Sequence, residues 1–270
     1  KAARIAATES QAEGIGLFRT ELCFLSATTE PSVKEQAEVY KKVLEQFPNS
    51  KVVVRSLDAG SDKPVAFASM ADEMNPALGV RGLRVARANE ALLTRQLDAI
   101  AKAASELGRT EETAPTWVMA PMVATAREAQ WFAGLCGDRG LTAGAMIEVP
   151  AASLMADKIM PHLRFVSIGT NDLTQYTMAA DRMSPQLAYL TDPWQPAVLR
   201  LIDHTCKEGK KFNTAVGVCG EAAADPLLAC VLTGLGVNSL SAASTAIAGV
   251  GAQLAAVDLE TCQKAAEVAL

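Results

Sequence analysis

The strongest constraint on the fold is a regular alternation between short apolar runs and longer amphipathic stretches. Runs rich in β-branched side chains occur at Gly14–Phe18, Lys51–Val54, Trp117–Met119, Ala145–Ile147, Phe165–Ile168, Ala215–Val218 and Val237–Leu240. Stretches with helical spacing separate them, among them Val33–Gln46, Glu90–Leu107, Ala126–Leu135 and Pro196–Lys207. Runs of this kind are typical of parallel strands that helices cover on both faces. The alternation predicts a parallel α/β fold, either a closed barrel or an open doubly wound sheet.

The number of runs bears on where the chain begins. A closed barrel of this type needs eight strands, whereas the sequence has seven runs and opens on a predicted helix at residues 2–12. We therefore expect the first strand to lie upstream of Lys1. Because the 270 residues start without a methionine or an apolar leader, they are predicted to be one barrel domain of a longer protein, without a signal peptide.

Composition argues against several classes of protein. The 25 basic and 30 acidic residues give a net charge of −5, which does not favour binding to a nucleic-acid backbone. The six cysteines are far apart and form no C-x-x-C pair, so neither a zinc knuckle nor a disulfide framework is expected. We expect the protein to lie in a reducing, cytoplasmic compartment. Residues 226–257 carry no charge, but glycine and polar side chains interrupt them. That pattern favours a buried strand flanked by small-residue helices over a membrane span.

Polar side chains stand at the ends of five of the apolar runs. They are Arg19, Arg55, Glu148, the pair Asn171 and Asp172, and Cys219. In a parallel barrel the carboxyl ends of the strands open onto one face, which carries the active site. The sequence therefore predicts a site at that face. A purely structural alternative stays open, in which Arg19 and Arg55 only form ion pairs with nearby acids. Those acids are Glu21 and Asp58.

The arginines indicate the charge of the ligand. Arg19, Arg55, Arg81 and Arg182 carry planar guanidinium groups, which bind phosphate and carboxylate oxygens in bidentate geometry and stay charged at any working pH. The ligand is therefore expected to be polyanionic. Lys63, in the segment AGSDKP, is a provisional fifth candidate, and a solvated loop lysine is an equal alternative.

Three further polar groups suggest a metal site and a proton donor. Glu148 and Asp172 end consecutive runs, and two carboxylates without a neighbouring His or Cys favour magnesium over zinc. For Asp172 alone, an ion pair or a helix cap is the alternative, and Asn171 either donates to a phosphate oxygen or caps the next helix. Cys219, with a reference thiol pKa of about 8.5, is mostly protonated at neutral pH. It is a candidate acid or nucleophile, or else a buried structural cysteine.

Several of these blocks together resemble the phosphoenolpyruvate-binding domain of enzyme I of the sugar phosphotransferase system. The blocks are GIGLFRTELCFL, VVVRSLDAGSDKP, NPALGVRGLR, MIEVPAA, SIGTNDLTQYTMAADR and GVCGEAA, in order over nearly the whole chain. Any one block alone is shared with pyruvate phosphate dikinase and phosphoenolpyruvate synthase, so that branch is the alternative. The resemblance implies a TIM-type (β/α)8 barrel.

The resemblance also implies roles for particular residues. Phosphoenolpyruvate would be bound by Arg19, Arg55, Asn171, Asp172 and Arg182, with Arg81 in support. Glu148 and Asp172 would hold magnesium, and Cys219 would protonate the enolate so that pyruvate is released. The phosphoryl acceptor would be a histidine on a separate N-terminal domain, which passes phosphate to a small histidine phosphocarrier protein. A homodimer formed through this domain is expected.

The chain departs from the family pattern in a few places. Ser56 and the A-G-S segment at 59–61 differ from the expected Thr and Gly-Gly, and Trp194 stands where smaller residues are usual. We interpret these differences as loop and surface variation. Because no acceptor histidine is recognised in the chain, a non-catalytic phosphoenolpyruvate-binding module is a further alternative.

Overall fold

The structure, a computed structural model, describes residues 2–60, 65–69 and 73–270. Its strands are β1 Ile15–Arg19, β2 Val52–Arg55, β3 Thr116–Ala120, β4 Thr142–Ile147, β5 Phe165–Gly169, β6 Ala215–Cys219 and β7 Ser239–Ser241. Its α-helices are α1 Ala2–Glu9, α2 Val33–Leu44, α3 Leu83–Ala88, α4 Glu90–Glu106, α5 Ala126–Gly137, α6 Pro150–Leu154, α7 Ala156–Ile159, α8 Thr170–Met178, α9 Pro196–Phe212, α10 Pro226–Gly234, α11 Ser244–Ala255 and α12 Leu259–Ala269. Short 3₁₀ helices lie at Thr20–Cys23, Pro76–Leu78, Met160–His162, Pro185–Leu187 and Glu221–Ala224. Each predicted apolar run overlaps one strand.

The order of the strands distinguishes between the two predicted architectures. Within the described residues the sheet has seven strands, which follow one another in chain order from β1 to β7. The β1–β2, β2–β3, β5–β6 and β6–β7 pairs are parallel. A doubly wound sheet reverses its strand order at a switch point, whereas a barrel of βα units keeps the order of the chain. The predicted α/β barrel of the TIM type is confirmed, and the doubly wound alternative is not supported.

Burial of the strands is less uniform than predicted. Val52 and Val54 of β2 are fully buried, as expected for a strand covered on both faces. The prediction of a buried strand was wrong for the last run, because Ser239 of β7 is exposed and the next two residues are only partly buried. β7 stands at the end of the strand order, and its serines have little apolar surface to bury.

The described residues form two compact units. The first falls within residues 1–7, 13–122 and 131–144 and contains β1, β2 and β3. Its helices α2 and α4 pack together over a buried polar network centred on Gln96. The Gln96 Oε1 atom accepts from the Leu57 backbone N at 2.8 Å, and its Nε2 atom donates to Thr20 Oγ1 and Tyr40 Oη at 3.1 Å each. Because each polar group in this network is paired, its burial is compatible with a stable core.

The second unit falls within residues 8–12, 123–130 and 145–270 and contains β5, β6 and β7. Its helices α10 and α12 approach so closely that a Cβ atom on Gly234 would overlap the backbone carbonyl of Cys262. Glycine is therefore required where these helices meet. Among the described residues, no helix combines the length and the apolar content needed to cross a membrane. The interpretation of the chain as a single domain stays a prediction.

Candidate functional site

The first unit gathers three of the four predicted arginines into one cluster. Arg19 and Arg55 are the last residues of β1 and β2 and face each other in the register of the parallel pair. Arg81 follows the Pro76–Leu78 turn and precedes Gly82, whose φ of 57° favours glycine. A Cβ atom on Gly82 would lie 2.9 Å from Met122 Cγ and 3.2 Å from Asp58 Oδ1, so glycine lets the chain pass close to Asp58.

Ion pairs join these arginines to two carboxylates. Glu21 Oε1 accepts from Arg19 Nε at 2.9 Å and from Arg55 Nη2 at 2.5 Å. Asp58 Oδ2 lies 3.1 Å from Arg55 Nη1 and 3.1 Å from Arg81 Nη2. The ion pairs proposed as the structural alternative are therefore present. Three guanidinium groups thus contact the carboxylates of Glu21 and Asp58.

Exposure differs sharply within the arginine cluster. The side chains of Arg55 and Arg81 are 4% and 1% exposed, whereas that of Arg19 is 43% exposed. A buried ion pair loses much of its Coulomb energy to desolvation, which makes it weak evidence for a purely stabilising role. Of the three arginines, Arg19 is the one that solvent reaches, whereas its neighbour Arg55 is buried.

The second unit contains a pocket of about 190 Å³ at the start of α8. That volume corresponds to roughly six water molecules and suits a small metabolite. Side chains that line this pocket, called here the anion pocket, include Thr170, Asn171, Thr174, Arg182, Thr191 and Glu221. The structure thus brings two of the predicted ligand-binding residues, Asn171 and Arg182, to one cavity.

Asn171 shapes one wall of the anion pocket. Its Oδ1 atom accepts from the backbone N of Glu221 at 2.9 Å, and α8 is preceded by Gly169 without a side-chain cap. Asn171 therefore does not cap the helix. The turn requires Gly220, at φ 98°, because a Cβ atom there would lie 2.6 Å from both Asn171 Oδ1 and Thr170 Oγ1. Apart from the bond to Glu221, Asn171 makes no side-chain hydrogen bond within the described residues, so its amide N–H groups can donate to a ligand.

Arg182 brings a cation to the anion pocket, which the carboxylate-bearing Glu221 also lines. Its backbone N donates to Gln175 Oε1 at 3.0 Å, which fixes the chain beside α8. With the residues that the structure describes, its guanidinium group forms neither an ion pair nor a hydrogen bond. A guanidinium group that has no partner among the described residues and stands next to amide donors is suited to bind a phosphate or carboxylate group.

The two predicted metal ligands are buried carboxylates in the same unit. Glu148 follows β4 and is 1% exposed, and Asp172 lies in the first turn of α8 and is 5% exposed. Gly169 leaves room for the first carboxylate, since a Cβ atom there would lie 2.7 Å from Glu148 Oε2. Among the described residues, no group of three or more His, Cys, Asp or Glu side chains is placed to hold a metal. Two carboxylates fit magnesium, which usually keeps several waters and bonds substrate phosphate.

Cys219 ends β6 beside the start of α8. Its side chain is 1% exposed, and its Sγ atom donates to the backbone O of Ile168 at 3.5 Å. Its own backbone O accepts from Thr170 Oγ1 at 2.9 Å. The thiol thus lies at the carboxyl end of a strand, and its burial also fits the alternative of a structural cysteine; its role as an acid stays a prediction.

Sequence reasoning missed several residues of the anion pocket. Thr170, Thr174 and Glu221 line it, although the first two belong to the SIGTNDLT block and the third to GVCGEAA. The signal that could have found them was their position beside Asn171 and Cys219. The provisional candidate Lys63 and Ser61 of the A-G-S segment lie outside the described residues.

Comparisons with known proteins show the family to which the chain belongs. A family model described as "PEP-utilising enzyme, PEP-binding domain" matches residues 1–259. The chain is 51% identical to a phosphoenolpyruvate-protein phosphotransferase of Streptomyces coelicolor, over 98% of this chain and 47% of that protein. It is 42% identical to a multiphosphoryl transfer protein of Rhodobacter capsulatus, over 93% of this chain and 30% of that protein. The chain spans about half the length, or less, of these relatives.

A solved structure supports the fold. An aldolase/citrate lyase family protein from Burkholderia cenocepacia has a TM-score of 0.55 at 14% identity, over 94% of this chain and 88% of that one. At this identity, the likeness concerns the fold alone.

Proposed function

Because the chain belongs to the family of PEP-utilising enzymes, as their PEP-binding domain, we propose that it binds phosphoenolpyruvate with magnesium and donates the phosphoryl group. The single observation that carries the proposal is the anion pocket, where the Arg182 guanidinium group has no partner within the described residues and stands beside Asn171. A triply charged metabolite requires such donors, because its anionic groups lose water on binding.

Different residues of the pocket would bind different groups of the ligand. Arg182 and the amide N–H groups of Asn171 would donate to phosphate oxygens, which fixes the orientation of the phosphoryl group. Glu148 and Asp172 would hold magnesium through carboxylate oxygens. When bound, magnesium would supply positive charge to the phosphoryl oxygens as the group is transferred.

On the resemblance alone, the arginine cluster is also proposed to bind phosphoenolpyruvate. Arg19 is exposed enough to donate to a ligand, and Arg55 shares Glu21 with it. Arg81 would act in support by competing for Asp58, which leaves Arg55 less neutralised. A guanidinium group that is accessible to the ligand would stabilise its negative charge.

Cys219 would complete the reaction after phosphoryl transfer. The enolate that remains must gain a proton at its C3 carbon to become pyruvate, and the Cys219 thiol would donate it from Sγ. A protonated thiol suits this role, since general acids work with a proton already in place.

The rest of the reaction would take place outside this chain. Relatives of about twice its length are named phosphoenolpyruvate-protein phosphotransferase. On the resemblance alone, the acceptor is proposed to be a histidine on a separate N-terminal domain. The phosphoryl group would then pass to a small histidine phosphocarrier protein, as the first step of sugar uptake. We place the protein in the cytoplasm, where its six free cysteines would stay reduced. A homodimer is proposed on the resemblance alone.

Calorimetric titration of phosphoenolpyruvate with and without magnesium tests the proposal. Arg182→Gln is expected to weaken binding by about 10- to 100-fold, the value of a hydrogen bond to a charged group. Arg164→Gln is a matched control, because Arg164 is also without a partner among the described residues but precedes β5, at the amino end of that strand. Equal effects of the two substitutions, or magnesium-independent binding, would count against the proposed site.

A further inference from the structure

The segment that joins α8 to α9, residues 179–195, forms a large part of the anion pocket. This segment, the pocket loop, supplies Arg182, Met183, Thr191 and Pro193, four of the eight lining residues. The pocket therefore keeps its shape only if the pocket loop stays beside α8.

Two of the large side chains in the pocket loop are exposed. Met183 and Tyr189 are 79% and 70% exposed, so these two side chains contribute little apolar packing to the position of the loop. Polar contacts at its two ends help to fix the loop. At the start of the loop, Gln175 Oε1 accepts from the backbone N of Arg182 at 3.0 Å.

Trp194 supplies the contact at the other end. Its indole Nε1 donates to Asp225 Oδ2 at 3.0 Å. Asp225 is itself fixed, because its Oδ1 atom caps α10 by accepting from the backbone N atoms of Leu227 and Leu228 at 2.9 and 3.1 Å. The indole is thus anchored to the first turn of a helix, and its chain neighbour Pro193 lines the anion pocket.

We infer that Trp194 is a positioning residue for the anion pocket, which it holds in a binding-competent shape by tying the pocket loop to Asp225. The inference rests on the proposed function and extends it to a residue that departs from the family pattern. If the tether is lost, the loop samples arrangements in which Thr191 and Pro193 leave the pocket wall. The apparent dissociation constant then rises in inverse proportion to the competent fraction.

Paired substitutions isolate the tether. Trp194→Phe removes the indole N–H and keeps an aromatic ring. Asp225→Asn keeps an oxygen for the cap of α10 and turns an N–H group toward the indole N–H. Tyr189→Phe is the control, since it removes an exposed hydroxyl from the same loop, and that hydroxyl makes no hydrogen bond within the described residues.

Two readouts are measured on each variant: the affinity for phosphoenolpyruvate at saturating magnesium, and hydrogen exchange of the amides at 183–193 without ligand. Trp194→Phe and Asp225→Asn are expected to weaken binding by about two- to tenfold, the effect of one net hydrogen bond, and to speed exchange. The double variant should bind phosphoenolpyruvate no more weakly than whichever single variant binds it less tightly. Additivity is not expected, because both substitutions remove the same hydrogen bond.

The outcomes separate the inference from the proposed function. Unchanged exchange in both variants, or faster exchange with unchanged affinity, would overturn the role of Trp194. An effect of Tyr189→Phe as large as that of Trp194→Phe would do the same. If the unsubstituted chain does not bind phosphoenolpyruvate, the proposed function fails, and the exchange data alone decide for or against the tether.

Discussion

A single methyl group at Gly169 should displace the carboxylate that is proposed to hold magnesium. In the Gly169→Ala variant the added Cβ atom would lie 2.7 Å from Glu148 Oε2 and 2.8 Å from Met146 Cε, and ordinary contact begins at 3.4 Å. The carboxylate oxygen would therefore have to retreat by about 0.7 Å, which exceeds the roughly 0.2 Å tolerance of a metal–ligand distance. The backbone does not oppose the change, because Gly169 has φ −89°.

Two quantities follow from that displacement. Overpacking a buried site costs about 1–3 kcal/mol of the free energy of unfolding, which urea denaturation measures. Disturbing the placement of a metal ligand typically lowers metal affinity by about 10- to 100-fold. We expect a loss of that size in the magnesium dependence of phosphoenolpyruvate binding, measured by calorimetry over a series of magnesium concentrations.

Gly217→Ala provides a matched control on the neighbouring strand. There the added Cβ atom would also lie 2.7 Å from an oxygen, Ser239 Oγ, but that hydroxyl can rotate away and the next atom is 3.6 Å distant. Magnesium dependence should be unchanged in this variant. A folded Gly169→Ala protein whose magnesium dependence stays within twofold of the unsubstituted chain would refute the assignment of Glu148 as a ligand.

Three further predictions concern other parts of the molecule. Cys219→Ala should leave phosphoenolpyruvate binding within about threefold but slow pyruvate release by about 10²- to 10⁴-fold in the enzyme reconstituted with an N-terminal domain; unchanged turnover would exclude its role as the acid. Glu21→Gln should cost about 3–5 kcal/mol in urea unfolding, because it removes the carboxylate shared by two arginines, one of them buried; a cost below about 1 kcal/mol would mean that the cluster is not stabilised by this acid. Burial raises the pKa of the Cys136 and Cys206 thiols from 9.0 to about 12. Between pH 9 and pH 12 the folded chain therefore keeps protons that the unfolded chain releases, so the free energy of unfolding should fall as the pH rises through this range. The Cys136→Ala variant should show a shallower slope over that range, and an identical slope would contradict the prediction.

The strands and the class of fold could be predicted because they depend on local signals. Apolar runs at Lys51–Val54 and Phe165–Ile168 overlap β2 and β5, since β-branched residues favour strands that are buried on both faces. For the last run, Val237–Leu240, the strand was predicted correctly but its burial was not. Burial of β7 depends on how many neighbours the strand has in the sheet, which its residues alone do not specify.

The ends of the strands could also be predicted, but the partners of their side chains could not. Arg19 and Arg55 were expected at one edge of the sheet, and their register in β1 and β2 agrees. Glu21 accepts hydrogen bonds from both arginines, and its contact with Arg55 joins residues that are 34 positions apart in the chain. The same holds for Trp194, which was interpreted as surface variation and whose partner Asp225 lies 31 residues along the chain. Contacts between distant residues require the folded arrangement, which no local pattern encodes.

The most direct test of the proposed site is a crystal structure of the chain with phosphoenolpyruvate and manganese, whose anomalous scattering locates the metal in place of magnesium. The account predicts a metal peak about 2.0–2.2 Å from carboxylate oxygens of both Glu148 and Asp172, and an Arg182 nitrogen about 2.7–2.9 Å from a phosphate oxygen. A metal peak away from both carboxylates, or a phosphate that Arg182 does not contact, would contradict it.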